Sequence, residues 1–511
     1  GRSLAEARRF AAMLDRAEAV RADREGDLAP VLAEAKPELL VDCAGPFQGN
    51  SYRVPEACIA AGVHYTDLAD ARDFVCGIGA LDEAARAGGV AVLAGGSTVP
   101  ALTGAVLREL TRGMERVDAV DMALGASSAA TGSGSIARAV LSYAGKPIAV
   151  WRARRREQVH GMYGLERRVF LVPGCKPVAR WVALGEVPDL DRVPGNLPGR
   201  PATIFRAGNE RVLHMFGARV LSVAVRNGWL SSLLRLDGLL LPIQRAMGRF
   251  GSARSAMSIE AKGWLGGEAL LRRWTVIAEA GDGPEIPVLA AQQVARRLRD
   301  GTLEPGARDT SRLFDLAEFE PLLGGLNAAE QIDEEPLTPL YARVMGEAYD
   351  RLPAPVRDMH AIAGDGGAEG EGTVVRGSGL LARLAGGFAG FPPAGTYPVH
   401  VGFSERDGVE TWTRSFGPYR FVSHLSRAGA HIQERFGPLR FRFSLPADET
   451  GLAMVFKGWS AFRIPLPRFL APRIAASERA EGEDFLFDVE VALLLAGPMV
   501  HYRGRLRRVW R

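Results

Sequence analysis

The sequence predicts an α/β protein. A doubly wound parallel sheet stands at the front, an inserted α+β region follows, and a mainly antiparallel β region ends the chain. Three observations predict this. Between residues 27 and 94, short apolar runs alternate with helical patterns and glycines mark the junctions, as in successive βαβ units. The stretch LLVDCAGPFQG at 39–49 sets a buried-strand pattern directly before a turn of small residues. Beyond an acidic, Gly-rich run at 364–372, the pattern becomes short strands joined by Gly-containing turns.

Taken in order, a helical pattern covers 4–19, and 20–23 read as a strand end. Asp27 caps a helix over 27–35. Residues 39–41 form a strand that Asp42 and Cys43 end. Ala44, Gly45 and Pro46 turn the chain, and Phe47 sits on the turn. Ligands of open α/β sheets bind beyond the strands' carboxyl ends, where small residues let a flat molecule reach the backbone. Any strand-to-helix turn also favours Gly and Pro, so the motif alone leaves both readings open. A helix over 54–61 stops at Gly62. A strand at 63–68, a helix at 74–87 and a strand at 90–94 follow, the last running into Gly95, Gly96 and Ser97.

Residues 117–126 alternate like a strand. Ser133, Gly134 and Ser135 precede a helix over 136–144 and suit either simple capping or an anion at its free N–H groups. Stretches 151–156, 169–172 and 179–184 read as antiparallel strands. Glu186, Asp189, Glu210 and His214 lie near their turns, for substrate, for a partner subunit in a homodimer, or for solvent. Residues 221–247 suit two amphipathic helices packed on the sheet, with a peripheral membrane contact as the lesser alternative. A strand at 270–279 and a helix at 287–300 come next. The acidic stretch 325–337 has no period and reads as a linker.

In the last third, one helix spans 341–351 and 364–372 is a loop. Strands at 399–403 and 409–414 flank the turn Arg406-Asp407-Gly408. Strands at 421–425, 431–435, 439–445, 452–456, 485–494 and 499–506 complete a meander of about eight, with a Pro-rich crossover at 465–472. RSFGP at 414–418 is echoed by RFGP at 435–438, marking equivalent strand ends. Trp412, His424, His431, Glu434 and Trp459 fall on neighbouring strands, as core or as one face for an apolar ligand. The two histidines lack a third ligand at metal spacing, so no metal site is read here.

Composition bounds the partners. At 511 residues the chain suits two or three domains, and 47% hydrophobic with 24% charged residues is that of a globular protein. The net charge is +4, and nearly all basic residues are Arg; the lysines are Lys36, Lys146, Lys176, Lys262 and Lys457. The basic runs at 152–156 and 503–511 are short, so no nucleic-acid partner is expected. Four cysteines without a CxxC pair suit a reducing compartment, and the cytoplasm is the expected location. No signal peptide opens the chain, and no run reaches the roughly 18 apolar residues of a membrane span.

Residues 1 to about 324 resemble the saccharopine dehydrogenase-like family of NAD(P)-dependent oxidoreductases. The resemblance rests on GRS at 1–3, VDCAGPFQG at 41–49, AGVHYTDLAD at 61–70, AVLAGGSTVPAL at 91–102 and TGSGSIARAVLSYAGKP at 131–147. LGEVPDL at 184–190, RAGNE at 206–210 and GDGPEIPVLAAQ at 281–292 extend it. It implies a Rossmann-like domain at 1–120 and a substrate and dimerisation domain at 121–324. It also implies hydride transfer between NADP (or NAD) and a small carbonyl or imine substrate. Arg2 and Ser3 would meet the 2′-phosphate, Asp23 the adenine, and Gly45, Pro46 and Phe47 the nicotinamide half. Two departures stand out. No strand and Gly-rich phosphate turn precede residue 4, so the chain reads as starting after a second strand, with its amino terminus truncated. Gly96-Ser97-Thr98-Val99-Pro100 replaces a Gly-Leu-Asp-Pro turn, so saccharopine itself is not the expected substrate. Tyr65 and Asp67, at a strand end beside the AGPF turn, are candidate proton donors; packing and turn-capping are the alternative roles. Residues 338–511 resemble a domain of unknown function found fused behind such dehydrogenase-like domains. The other function class open to the chain is a non-catalytic ligand- or lipid-binding protein on a relict dinucleotide fold.

Overall fold

The computed structural model describes residues 1–127, 134–248, 251–377, 379, 390–493 and 497–510, with 243–248 as backbone only. Three short apolar strands open the architecture: β1 (Leu39–Asp42), β2 (His64–Asp67) and β3 (Ala91–Ala94). They pair in parallel. Every side chain of β3 is buried, as expected of a strand covered on both faces. The helix Arg53–Ala61 connects β1 to β2 and ends at Gly62, whose φ of 66° suits glycine. The expected helix over 74–87 is two, Arg72–Gly77 and Asp82–Ala87, joined by a tighter turn. The expected helix over 4–19 is shorter, Leu4–Ala11. Residues 20–23 are not a strand: their backbone meets Gly1, through Gly1 N to Val20 O and Ala22 N to Gly1 O, both 3.2 Å, and Asp23 begins a turn.

The next eight strands are β4 (Arg116–Gly125), β5 (Pro147–Arg152), β6 (Arg155–His160), β7 (Glu166–Phe170), β8 (Val178–Leu184), β9 (Ala202–Asn209), β10 (Ser255–Leu265) and β11 (Glu268–Ala278). β12 (Gly306–Asp309) returns to pair in parallel with β3, giving the order β1-β2-β3-β12. β13 (Ala328–Leu337) pairs with β11 and completes a seven-stranded sheet, β13-β11-β10-β4-β9-β8-β7. The expected irregular linker at 325–337 is thus largely an edge strand. Its acids replace hydrophobic alternation by pairing with β11: Trp274 Nε1 donates to Glu330 (2.6 Å) and Arg272 Nε to Glu334 (2.7 Å). The stretch 151–156, expected as one strand, is the turn of the β5–β6 hairpin, with Ala153 and Arg154 at φ 48° and 61°.

The last twelve strands are β14 (Asp365–Arg376), β15 (Gly395–Arg406), β16 (Val409–Phe416), β17 (Tyr419–Ala428), β18 (His431–Phe436), β19 (Leu439–Ser444), β20 (Ala447–Asp448), β21 (Gly451–Ala461), β22 (Ile464–Leu466), β23 (Arg473–Glu481), β24 (Asp484–Leu493) and β25 (Gly497–Val509). Ten of them close an antiparallel up-and-down barrel. Neighbours in sequence pair around the ring, β14 meets β25, and β19 meets β21 past the short β20. The run 364–372, expected as a loop, is the start of β14. Its glycines allow close approach: a Cβ at Gly370 would lie 2.0 Å from Arg505 O on β25. Both FGP turns are hairpin tips, joining β16 to β17 and β18 to β19, as the repeat predicted. The single helix expected over 341–351 is broken at Gly346 into Leu340–Met345 and Glu347–Asp350. With Ala354–His360 these helices pack on opposite arcs of the ring, β17–β18 and β23–β25, and so lie across one end.

The β5–β6 tip is wedged between the seven-stranded sheet and the barrel. Ala153 N donates to Asp365 Oδ1 (2.7 Å), and His400 Nε2 lies 3.0 Å from Ala153 O. A Cβ at Gly402 would fall 2.7 Å from Ala153 Cβ. Gly402→Val is therefore expected to lower stability by about 1–3 kcal/mol through overpacking, read as a fall in the thermal midpoint. An unchanged midpoint would mean that the tip is not seated against β15.

Candidate functional site

The carboxyl ends of β1, β2, β3 and β12 lie side by side, and the turns that follow them are tied to one another. After β1, Asp42 Oδ1 accepts from Ala44 N (2.9 Å), and the chain turns through a cis Gly45–Pro46 bond into Phe47. Phe47 is buried against Phe74, with ring centroids 5.4 Å apart. After β2, Asp67 Oδ1 accepts from Ala69 N (3.0 Å) and Gly95 N (2.7 Å), tying the ends of β2 and β3 together. After β12, Thr310 Oγ1 donates to Gly95 O (2.5 Å). Ser135, near the start of the helix Gly134–Tyr143, reaches the first of these turns, donating from Oγ to Gly45 O (3.1 Å). Ser133, expected with it in the cap, lies outside the described residues.

The electrostatics follow from burial. Asp67 has no exposed surface, and burial pushes its carboxyl up to about 7 against the hydrogen bonds from Gly95 and Ala69. Tyr65 is equally buried and burial raises its phenol well above the usual value; Tyr65 Oη and Asp67 Oδ2 both lack a well-formed hydrogen bond. Asp70, half-buried, accepts from Gln48 Nε2 (3.1 Å), and burial raises its carboxyl too. Burial, with the Asp70 and Glu186 charges added, raises the Tyr143 phenol and keeps it protonated.

The expected site residues separate. Gly45, Pro46 and Phe47 form the β1 turn. Tyr65 and Asp67, the expected proton donors, sit beneath it without surface, so in this conformation neither meets a substrate; Asp67 fixes the turns instead. Arg2, Ser3 and Asp23 are exposed. Ser3 caps the helix Leu4–Ala11 by accepting from Glu6 N (3.3 Å), and Asp23 accepts from Glu25 N (3.2 Å) within its own turn. Sequence reasoning missed Arg24. Its guanidinium donates to Ala44 O, lies 3.4 Å from Asp42 Oδ2 and stands 5.0 Å from the Phe47 ring centroid. A lone Arg in the charged run 21–27 carries no local signal of this contact.

At the β1 turn Cys43 and Ala44 are exposed, while Ala44 N, Ala44 O and Gly45 O are bonded to Asp42, Arg24 and Ser135. Apart from the exposed Arg2, the residues expected at the adenosine half are engaged in turns and caps, and no Gly-rich turn precedes β1 to grip a pyrophosphate. Of the residues expected around a dinucleotide, Gly45, Pro46 and Phe47 stand together on the β1 turn; a phosphate cradle is not among the described residues.

A second cluster lies inside the barrel. Register places Trp412 opposite Ser423, Arg414 opposite Phe421 and Leu425 opposite Glu434, all on the inner face. Arg414 donates to Ser423 Oγ (2.7 Å) and pairs with Glu434 (3.3 Å). His360, from the last capping helix, stacks on Tyr341 at 3.6 Å and pairs through Nε2 with Glu478 Oε2 (2.6 Å). Trp459 stacks on Phe441. His424 and His431, expected on the same face, alternate to the outer one because each neighbours an inward residue in sequence.

Fold and site together define a two-part protein. An α/β part, with its parallel sheet and seven-stranded sheet, is joined to a ten-stranded antiparallel barrel. Residues 352–506, which hold most of that barrel, match a domain of unknown function, DUF4166. No curated protein matches the chain. Among solved structures, a protein of unknown function of the DUF3598 family from Nostoc punctiforme is 11% identical. It covers 50% of this chain and 84% of its own, with a TM-score of 0.20. Rv2717c from M. tuberculosis is 9% identical, covering 31% and 99%, with a TM-score of 0.20. A dehydrogenase (MviM) from Clostridium difficile is 9% identical, covering 59% and 83%, with a TM-score of 0.24. Likenesses this distant leave any functional reading to rest on the residues themselves.

Proposed function

We propose that this protein is an oxidoreductase of the saccharopine dehydrogenase-like kind, using NADP to move hydride to or from a carbonyl or imine. The observation that supports the reading is the set of turns at the carboxyl ends of the parallel sheet, where ligands of such sheets bind, with Ser135 Oγ bonded to Gly45 O. The cofactor, when bound, supplies the hydride. The chain's own residues shape the seat. Phe47, held by Phe74 and Arg24, backs the turn. Asp67 acts as a positioning residue by fixing the Ala69 and Gly95 amides. Asp70 is the carboxyl that keeps surface. Burial raises its carboxyl and Gln48 holds its Oδ1, which makes Asp70 the candidate for proton exchange with a substrate.

The test is titration with NADPH and NADH, followed by nicotinamide fluorescence. Binding that favours NADPH is expected. Arg2→Ala should remove the preference, because a charged guanidinium–phosphate contact contributes about 1.5–3 kcal/mol. Equal affinities would sink the NADP assignment. A folded chain that ignores both nucleotides would favour the second reading, a non-catalytic ligand carrier, which the charged cluster inside the barrel supports.

A further inference from the structure

The helix Val212–Arg226 is apolar on both sides. Met215, Ser222 and Val225 are buried, and Met215 and Val225 pack with Ala144, Met162, Ala183 and Leu233. On the outer side, Leu213 is 78% exposed, Phe216 57% and Val220 53%. Their spacing of three and four residues puts them in one stripe. Trp229, 74% exposed, follows the helix and joins Phe216 and Val220 in lining a groove of about 780 Å3. A helix that is apolar all round is normally covered, and in this chain the outer stripe faces outward.

Charge identifies the cover. Residues 211–236 hold Arg211, Arg219, Arg226 and Arg235 and no Asp or Glu. Arg219 and Arg226 are held beside the groove over the Tyr163 ring, at 3.5 and 5.0 Å from its centroid. The two flanking acids are engaged elsewhere: Glu210 accepts from Ser252 N and Oγ (2.7 Å each), and Asp237 from Arg138 (2.9 Å). We propose that this face docks on an anionic membrane surface. The Leu213–Phe216–Val220 stripe and Trp229 would enter the headgroup boundary, and the arginines would meet lipid phosphates. An amphipathic element with Trp, Phe and Leu on one side and Arg around it is built for that interface. A second copy is disfavoured as occupant, because a two-fold interface sets each arginine cluster close to its own equivalent. Among the described residues no helix is long and apolar enough to cross a membrane, so the contact is with the surface. The inference goes beyond the proposed reaction and does not depend on it.

Flotation of the full chain with phosphatidylcholine vesicles, with and without phosphatidylglycerol, tests it. Binding is expected only with the anionic lipid and is expected to fall as salt is raised. Phe216→Glu and Trp229→Glu should each lower the bound fraction roughly tenfold or more. Both side chains are exposed, so far-UV circular dichroism and the thermal midpoint should be unchanged. Quenching of tryptophan by brominated lipid should be largely lost in Trp229→Phe. Absence of flotation with anionic vesicles overturns the proposal, as does equal flotation of the two Glu variants. A dimer in analytical ultracentrifugation that Phe216→Glu dissociates, in a protein that ignores vesicles, assigns the face to a second copy instead.

Discussion

Asp118→Ala is expected to lower the free energy of unfolding by about 3–5 kcal/mol, the usual cost of removing one partner from a buried ion pair. Asp118, on β4, accepts from Arg116 Nε (2.8 Å), Arg154 Nη2 (2.8 Å) and Trp264 Nε1 (2.6 Å). Its side chain and that of Arg154 are each 1% exposed. Arg154 stands at the tip of the hairpin wedged against the barrel. Arg508, from β25, is buried in the same region, and burial pushes its guanidinium down to about 10 against the attraction of Asp118. Losing the carboxylate leaves these cations desolvated with less to balance them. Urea unfolding followed by tryptophan fluorescence should show an earlier midpoint. A loss below about 1 kcal/mol would mean that water reaches Arg154 and that the junction is looser than its contacts suggest.

The parallel sheet was legible because strands buried on both faces write themselves as unbroken apolar runs, as AVLA does at β3. β13 and β14 were not legible, for a shared reason: each borrows from its neighbours what its own pattern lacks. β13 sets acids against arginines of β11. β14 sets glycines where β25 comes close. The barrel's closure was equally hidden, since pairing β14 with β25 joins strands more than a hundred residues apart. The β5–β6 hairpin escaped because Ala153 and Arg154 take positive φ without a Gly or Asn to announce it.

The candidate site divides in the same way. Its turn, Gly45 to Phe47, is read from local chemistry. The burial of Tyr65 and Asp67 is not, because in a strand covered on both faces alternation does not say which side meets a ligand. Arg24 reaches Ala44 and Phe47 across about twenty residues of sequence, and no local period foretells such a contact.

Glu410→Gln is expected to stabilise the protein at pH 8 while changing little near pH 4.5. Glu410 has no exposed surface on β16. Its Oε2 accepts from Trp412 Nε1 (2.9 Å), and the Leu340 backbone and His360 also favour its charged form. Burial raises its carboxyl from 4.5 to about 7. Between those values the folded chain keeps the proton that the unfolded chain has released. Stability therefore falls as pH rises through that window and levels off above about 7. Buried Asp67, Asp189 and Asp365 are raised to about 7 as well and act in the same direction. Glu166 acts oppositely. Burial would raise it, but Arg406, Arg206 and Arg168 together hold it at about 2, so its contribution is present above 4.5 and lost as pH falls toward 2. The unsubstituted protein should accordingly be most stable near pH 5 and melt lower at pH 8. Gln keeps the shape and an acceptor for Trp412 while removing the titration. The expected gain at pH 8 is on the order of 1–3 kcal/mol, read from urea midpoints across pH 4.5 to 8. A variant destabilised equally at both ends would show that Glu410 is held as a charged partner, and the assignment of a neutral carboxyl inside the barrel would fall.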